Sequence, residues 1–217
     1  MGKKENNIEQ SLKELFELLI KSTKSMAKLI DNCDFEHISD IKKDLNEANI
    51  LKRVLKLDEI ISDKLLCQDL KNEELNINIS FFKITTEVAR ISGVIRTALG
   101  KFEQGCDDLK DDDIKKLTKK LYLQITSVLK LTLEMITTDE LDDIDELYRE
   151  IIALEEKIDN IYSKITDIVN KKNKKLSKNE SILKALRVTE KIASRAVSIS
   201  QIVRFPCCKD TENNLKG

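Results

Sequence analysis

Apolar residues recur at spacings of three and four along most of the chain, the period of one helical face. Ile8, Leu12, Leu15, Leu19, Met26 and Leu29 predict a first helix reaching about Ile30, followed by a short break from Asn32 to Glu36. Ile38, Ile41, Leu45, Ala48, Leu51 and Leu55 predict a second helix that continues to about Leu66. Gln68 to Asn78 carries no sustained stripe and reads as a loop or a frayed end. The third helix carries Phe81, Ile84, Val88, Ile91, Ile95 and Phe102 and closes near Gly105. Ile114, Leu117, Leu121, Ile125, Val128 and Met135 mark a fourth. The fifth has the cleanest heptad: Ile144, Leu147, Ile151, Leu154, Ile158, Ile161, Ile165 and Ile168.

The sixth run, Ile182 to Phe205, alternates bulky residues (Ile182, Leu186, Ile192, Ile199, Val203) with small ones (Ala185, Ala193, Ala196, Ser200). Small residues let neighbouring backbones approach, so this helix is expected at the centre of a bundle. Arg187, Glu190, Ser194, Ser198 and Gln201 share one of its faces. Pro206 is expected to end it, because proline cannot donate the next helical bond and disfavours helix at the preceding residue. Thr137 with Glu140, and Ser177 with Glu180, fit capping boxes for the fifth and sixth helices. Gly93 and Gly100, seven apart on the third helix, read as points of close helix contact.

Composition supports this picture and narrows it. A chain of 217 residues can form one domain or two small ones with a real core. One Pro, five Gly and 35% charged residues favour long helices over sheet. Aromatics are 4% and Trp is absent, so Leu, Ile and Val must fill the interior. The balance of 38 basic against 39 acidic side chains argues against nucleic-acid binding driven by overall charge. Cys33, Cys67, Cys106, Cys207 and Cys208 form no Cys-x-x-Cys pair, which fits reduced cytosolic thiols, with Cys207 and Cys208 an incidental tail pair. MGKKENN has no apolar signal core, and no stretch reaches the roughly 20 apolar residues of a membrane span. A soluble, cytoplasmic protein is expected.

The run Thr189-Glu190-Lys191-Ile192-Ala193-Ser194-Arg195-Ala196-Val197-Ser198-Ile199 resembles the LERIADHAxNI helix of the PhoU family of phosphate-uptake regulators. Val88-Ala89-Arg90-Ile91-Ser92-Gly93 resembles a second copy about a hundred residues earlier. Leu154-Glu155-Glu156-Lys157-Ile158-Asp159, with Tyr162 following, is similar to the family's LExEVDxLY helix, and Leu45-Asn46-Glu47-Ala48-Asn49 is its partner in the first half. In this alignment Asn49 corresponds to Asp159, and Arg90 to Lys191. The resemblance implies an all-α fold of two tandem pseudo-symmetric three-helix bundles, six long antiparallel helices in all. Residues 1–105 and 106–208 are then the two halves, and 209–217 a disordered tail.

The family's central helices carry an E/D-x-x-x-D pattern, whose carboxylates point the same way and can surround iron, zinc or magnesium. Here Glu190 is kept, Ser194 replaces its partner, and Ala89 and Gly93 replace both acids of the first half. Asp159 and Glu155 on the preceding helix are the residues that would supplement Glu190. A polar seam is the alternative reading of the same row, and no tight multinuclear cluster is expected. The acidic run Asp107 to Asp113 suits a helix N-terminus; it lacks the ordered ligands and central Gly of a calcium loop.

Catalytic signals are few. His37 is the single histidine, so the Glu-x-x-His pairs of di-iron bundles are absent. Phosphate-cradling glycine loops and nucleophile turns are absent too. Lys171, Lys172, Lys174, Lys175 and Lys178 crowd the turn between the fifth and sixth helices. They read either as a solvated basic loop or as a contact for an acidic partner, phosphate or an anionic membrane surface.

The resemblance implies a non-enzymatic regulator or accessory protein of inorganic phosphate transport. Its expected partner is a membrane phosphate permease or the associated sensor kinase, at the inner face of the membrane, and a homodimer is compatible. Two alternatives stay open: a helical scaffold with no phosphate role, and a metal-binding helical-bundle enzyme.

Overall fold

The computed structural model describes residues 2–31, 35–47, 49–67, 70–105, 109–138, 140–172 and 180–213. It contains α1 (Gly2–Leu29), α2 (Phe35–Glu47), α3 (Ile50–Cys67), α4 (Asn72–Gly105), α5 (Asp112–Thr137), α6 (Leu141–Lys172) and α7 (Glu180–Asn213). Among the described residues there is no strand. The second helix is broken into α2 and α3. The fold is therefore all-α, with α1, α2–α3 and α4 in one three-helix bundle and α5, α6 and α7 in the next.

The bundles lie side by side. α4 packs along α7, and α1 crosses to α5, so one continuous core runs through both. Its largest fully buried side chains include Phe16 of α1, Phe102 of α4 and Tyr122 of α5. α7 contacts α4, α5 and α6. Ala185, Ala193, Ala196 and Ser200 are all buried, which is the close approach that the small row of α7 predicts. Each large aliphatic residue buried here is worth about 1.5–3 kcal/mol of transfer free energy.

Asn49 breaks the second helix. Its φ of 41° lies in the left-handed region, where asparagine is among the few non-glycine residues found routinely. Its N–H donates to the Asn46 carbonyl at 3.0 Å, and its side-chain Oδ1 accepts from the Lys52 N–H at 3.4 Å, so one residue stops α2 and caps α3. The apolar stripe crosses the break, which is why periodicity alone reads a single helix.

α4 begins at Asn72, well before the expected start near Phe81. Glu74 in its first turn accepts from the Lys71 N–H at 3.3 Å, half of a capping box without the usual hydroxyl cap. These first turns are largely exposed and need no apolar stripe. Asp111 caps α5 by accepting from the N–H groups of Asp113 and Ile114 at 3.0 and 3.2 Å, the role expected of the acidic run. Thr137 caps nothing. It is the last residue of α5, and its hydroxyl donates back to the Leu133 carbonyl at 3.1 Å. Thr138 instead accepts from the Glu140 N–H at 3.4 Å. Ser177 lies outside the described residues.

Two further expectations are corrected. α7 passes through Pro206 and continues to Asn213. Proline removes one donor, which penalises continuation without forbidding it. Gly93 and Gly100 are not points of close contact, since a Cβ at either would meet nothing within 4 Å. The close approach is at Gly105, where a Cβ would lie 2.9 Å from Ser181 Cβ.

Candidate functional site

The helical period sets Glu155 and Asp159 one turn apart on α6, and Glu190 and Ser194 one turn apart on the antiparallel α7. The structure brings all four together. Ser194 Oγ donates to Glu155 Oε1 at 3.1 Å, and the carboxyls of Glu190 and Asp159 share a hydrogen bond. Ser198 donates to the Ser194 carbonyl at 3.0 Å and continues the polar row along α7.

The electrostatics of this cluster act on Glu190. Partial burial is the largest influence raising the Glu190 carboxyl above its ordinary value of 4.5. The Asp159 charge, the hydrogen bond to Asp159 and the Glu155 charge add to it, while Lys191 opposes them.

A multinuclear metal centre does not fit this donor set. Ser194 spends its hydroxyl on Glu155, and two of the three acids are committed to each other. Among the described residues no group of three or more His, Cys, Asp or Glu is arranged to hold a metal ion.

The matching face of the first half is apolar. Thr85 of α4 donates to Asp58 of α3 and fixes the register between these antiparallel helices. Ala89 and Gly93 lie one and two turns beyond Thr85, and Leu55 and Leu51 lie one and two turns before Asp58. Leu51, Leu55, Ala89 and Gly93 thus occupy the arrangement that Glu155, Asp159, Glu190 and Ser194 make in the second half. This corrects the alignment of Asn49 with Asp159: Asn49 sits in the break before α3, whereas Asp159 lies well inside α6.

Lys171 is exposed near the end of α6. Lys172 is the last residue of that helix, and its side chain lies outside the described residues, as do Lys174, Lys175 and Lys178. Cys33 and Cys106, and the side chains of Cys67, Cys207 and Cys208, are outside them too. His37 is half-buried in the first turn of α2.

Sequence reasoning missed two polar links between elements. Glu87 of α4, only 8% exposed, pairs with Arg195 of α7 at 2.7 Å and with Arg90 at 2.5 Å. A glutamate beside the apolar row Ile84, Val88 and Ile91 was the available signal. Tyr122 of α5 and Thr189 of α7 share a buried hydrogen bond of 3.2 Å. Thr189 also donates to the Ala185 carbonyl at 2.8 Å. Nothing in the local pattern around Tyr122 announces its partner.

Comparison with solved structures places this architecture. PhoU from Pseudomonas aeruginosa superposes with a TM-score of 0.83 at 15% identity, covering 95% of this chain and 98% of that one. A PhoU-like phosphate regulatory protein from Shewanella oneidensis MR-1 gives 0.68 at 11% identity, covering 93% of this chain and 99% of that one. A second PhoU-like protein from the same organism gives 0.69 at 12% identity, with coverage of 93% and 99%. The fold is therefore PhoU-like along nearly the whole chain. No protein-family model and no curated protein matches the sequence. Among the described residues no helix is long and apolar enough to cross a membrane.

Proposed function

We propose that the protein is a non-enzymatic regulator or accessory of inorganic phosphate transport, acting by binding a membrane phosphate permease or its associated sensor kinase. The observation that carries this reading is the likeness to PhoU over nearly the full length of both chains. The site chemistry is compatible with it. The polar cluster pairs acids and a hydroxyl with one another. A binding role requires only a presented surface, which long paired helices supply. The halves 1–105 and 106–208 are the proposed units of that surface. Lys171, with Lys172, Lys174, Lys175 and Lys178, is a proposed contact for an acidic partner at the cytoplasmic face of the membrane.

The test combines deletion with co-purification. Loss of the protein is expected to alter phosphate uptake or its regulation, while the purified chain turns over no substrate. Permease recovery should fall with salt, because flexible lysine charges are screened over roughly 8 Å at physiological ionic strength. Changing the five lysines to Gln should weaken recovery at low salt. Unchanged uptake together with no permease recovered would favour a helical scaffold without a phosphate role. Ala89, Gly93 and Ser194 in place of carboxylates are the specific observation behind that second reading.

A further inference from the structure

The outer face of α5 and α6 is charged in two bands. On α5, Lys120, Leu123, Ser127, Lys130 and Glu134 fall in one row at spacings of three and four. On the antiparallel α6, Asp143, Glu146, Glu150, Lys157 and Lys164 form the matching row. A cleft runs between the rows. One part of it, about 610 Å³, has Lys130 and Lys157 beside Ser127, Leu131, Ala153 and Leu154. The next part, about 350 Å³, is walled by Asp143 and Glu146. Glu134 and Glu150 line both parts, so the two are one groove, cationic at one end and anionic at the other. The opposing charges are Arg149 near the acidic end and Glu156 and Asp167 on the flank of the basic end.

Exposed charges elsewhere pair across elements, as Lys21 with Asp44 at 2.6 Å and Lys42 with Glu103 at 2.5 Å. Among the described residues, none of the charges in the α5 and α6 rows is in an ion pair within the chain. A face that is positive at one end and negative at the other complements a copy of itself turned end for end. A dyad along the groove would set α5 against α6 with like charges facing. A dyad across the groove sets each helix antiparallel to its own copy. That one operation places Lys130 opposite Glu134, Lys157 opposite Glu150 and Lys164 opposite Asp143, each pair formed twice. The midpoints of these pairs, by Thr132 on α5 and Ala153 on α6, lie at one level, because Leu131 and Ala153 line the same part of the cleft. Leu131, Leu154 and Leu123, which is 46% exposed, supply apolar contact between the charged pairs.

We propose that the outer α5–α6 face is the contact between two copies of this chain, related by a dyad across the groove. From Lys120 to Thr138 the face is roughly 27 Å long, and two helices make it roughly 20 Å wide. About 540 Å² per copy is less than the ~800 Å² of a standard interface, so the dimer is micromolar and salt-sensitive. An anionic bilayer would be repelled by the acidic end, and a partner of one charge sign would meet like charge on half of the face. The assignment uses nothing from the phosphate reading.

The experiment is analytical ultracentrifugation of the full chain from about 5 to 200 µM. A monomer–dimer equilibrium is expected at about 0.05 M salt, with dissociation about tenfold easier at about 0.5 M. Lys157→Glu and Glu150→Lys should each raise the dimer dissociation constant about tenfold. The Tm should stay in place, because neither side chain is paired within the chain. Both substitutions in one chain should restore the parent constant. Mixing the two single variants should give a heterodimer more readily than either gives a homodimer, since each reversed charge then meets its opposite. A chain that stays monomeric at about 200 µM in low salt would overturn the proposal. So would a dimer indifferent to Lys157→Glu, or one that the combined variant fails to restore, since either moves the contact to another face. Co-sedimentation with phosphatidylglycerol vesicles that Lys157→Glu abolishes, with no dimer formed, would assign the basic end to a bilayer instead. Phosphate uptake is not a readout here, so failure of the dimer and failure of the regulatory reading are separable.

Discussion

Ser194 donates its proton to Glu155 at 3.1 Å, across the α6–α7 interface, in the position where the E/D-x-x-x-D pattern has a carboxylate. A hydroxyl there relieves the charge of Glu155, and an acid would add to it. Ser194→Asp should therefore lower the stability of metal-free protein by about 1–2 kcal/mol, through a lost hydrogen bond and new repulsion. It should also create a response to zinc or magnesium, read as a Tm that rises with added metal and falls with chelator. The unaltered protein should carry no stoichiometric iron or zinc in elemental analysis. Metal present there and removed by Glu190→Ala would sink this account.

Glu190 supplies a pH test with a definite sign. Its folded-state pKa is raised above 4.5, chiefly by burial and then by Asp159. Its contribution is thus fully present below the unfolded pKa and is lost as pH rises through the folded pKa. Glu190→Gln should be close to neutral in acid and should stabilise the protein relative to the parent as pH increases from about 4.5 upward. Melting curves of both proteins across that range would check it, and a gap that does not change with pH would refute it.

Tyr122 is fully enclosed, and burial pushes its hydroxyl up to about 12, with the Thr189 bond opposing. Stability tied to this group is present below the unfolded value of 10.0 and is lost as pH climbs toward the folded value. Its phenolate absorbance should appear together with unfolding in an alkaline titration, with no separate step in the native state. Tyr122→Phe should remove that coupling at a cost of about 1 kcal/mol at neutral pH.

The glycines of α4 should respond in opposite directions. Gly93→Ala places a methyl in open space and removes a poor helix former, so it should stabilise by about 0.5–1 kcal/mol. Gly105→Ala would press against Ser181 Cβ at 2.9 Å and should destabilise, because α4 and α7 must then separate. Chemical denaturation of the two variants side by side decides it, and similar shifts in both would contradict this packing.

Glu87 and Arg195 join the halves by a pair that is buried on the acid side and about one-third open on the basic side, with side-chain exposures of 11% and 30%. Either alanine substitution should cost about 1–3 kcal/mol, less than for a fully buried pair because water still reaches Arg195. A double-mutant cycle should show coupling, since Arg90 alone cannot replace the contact across the seam. Strict additivity would mean the pair contributes nothing.

The helices and the central place of α7 were legible because burial imposes a 3.6-residue period on any long element that faces a core. The Ile182, Leu186 and Ile199 row and its small neighbours fall inside as that period requires. Features outside the period were not legible. Asn49 changes one backbone angle while the stripe continues past it, and the first turns of α4 have no stripe to detect. The meeting of Glu155, Asp159, Glu190 and Ser194 could be anticipated from motif spacing. The opposing Leu51 and Leu55 could not, because the sequence match placed their counterpart near Asn49. Register between helices is set by contacts such as Thr85 with Asp58, which no single helix records.

The α4–α7 seam has a consequence for how the chain is made. Its partners Glu87 and Arg195 are 108 positions apart. Closing a loop of that length costs about 4 kcal/mol of chain entropy, whereas adjacent helices such as α5 and α6 meet through a short turn. Helical hairpins therefore assemble early and the seam closes late. On the ribosome, at about 5–20 residues per second, α4 emerges long before α7. For those seconds the apolar side of α4 that α7 will cover has no native mate. The surface destined for the middle of the molecule is the one the growing chain leaves unguarded longest, and chaperone capture of the nascent protein should centre on it.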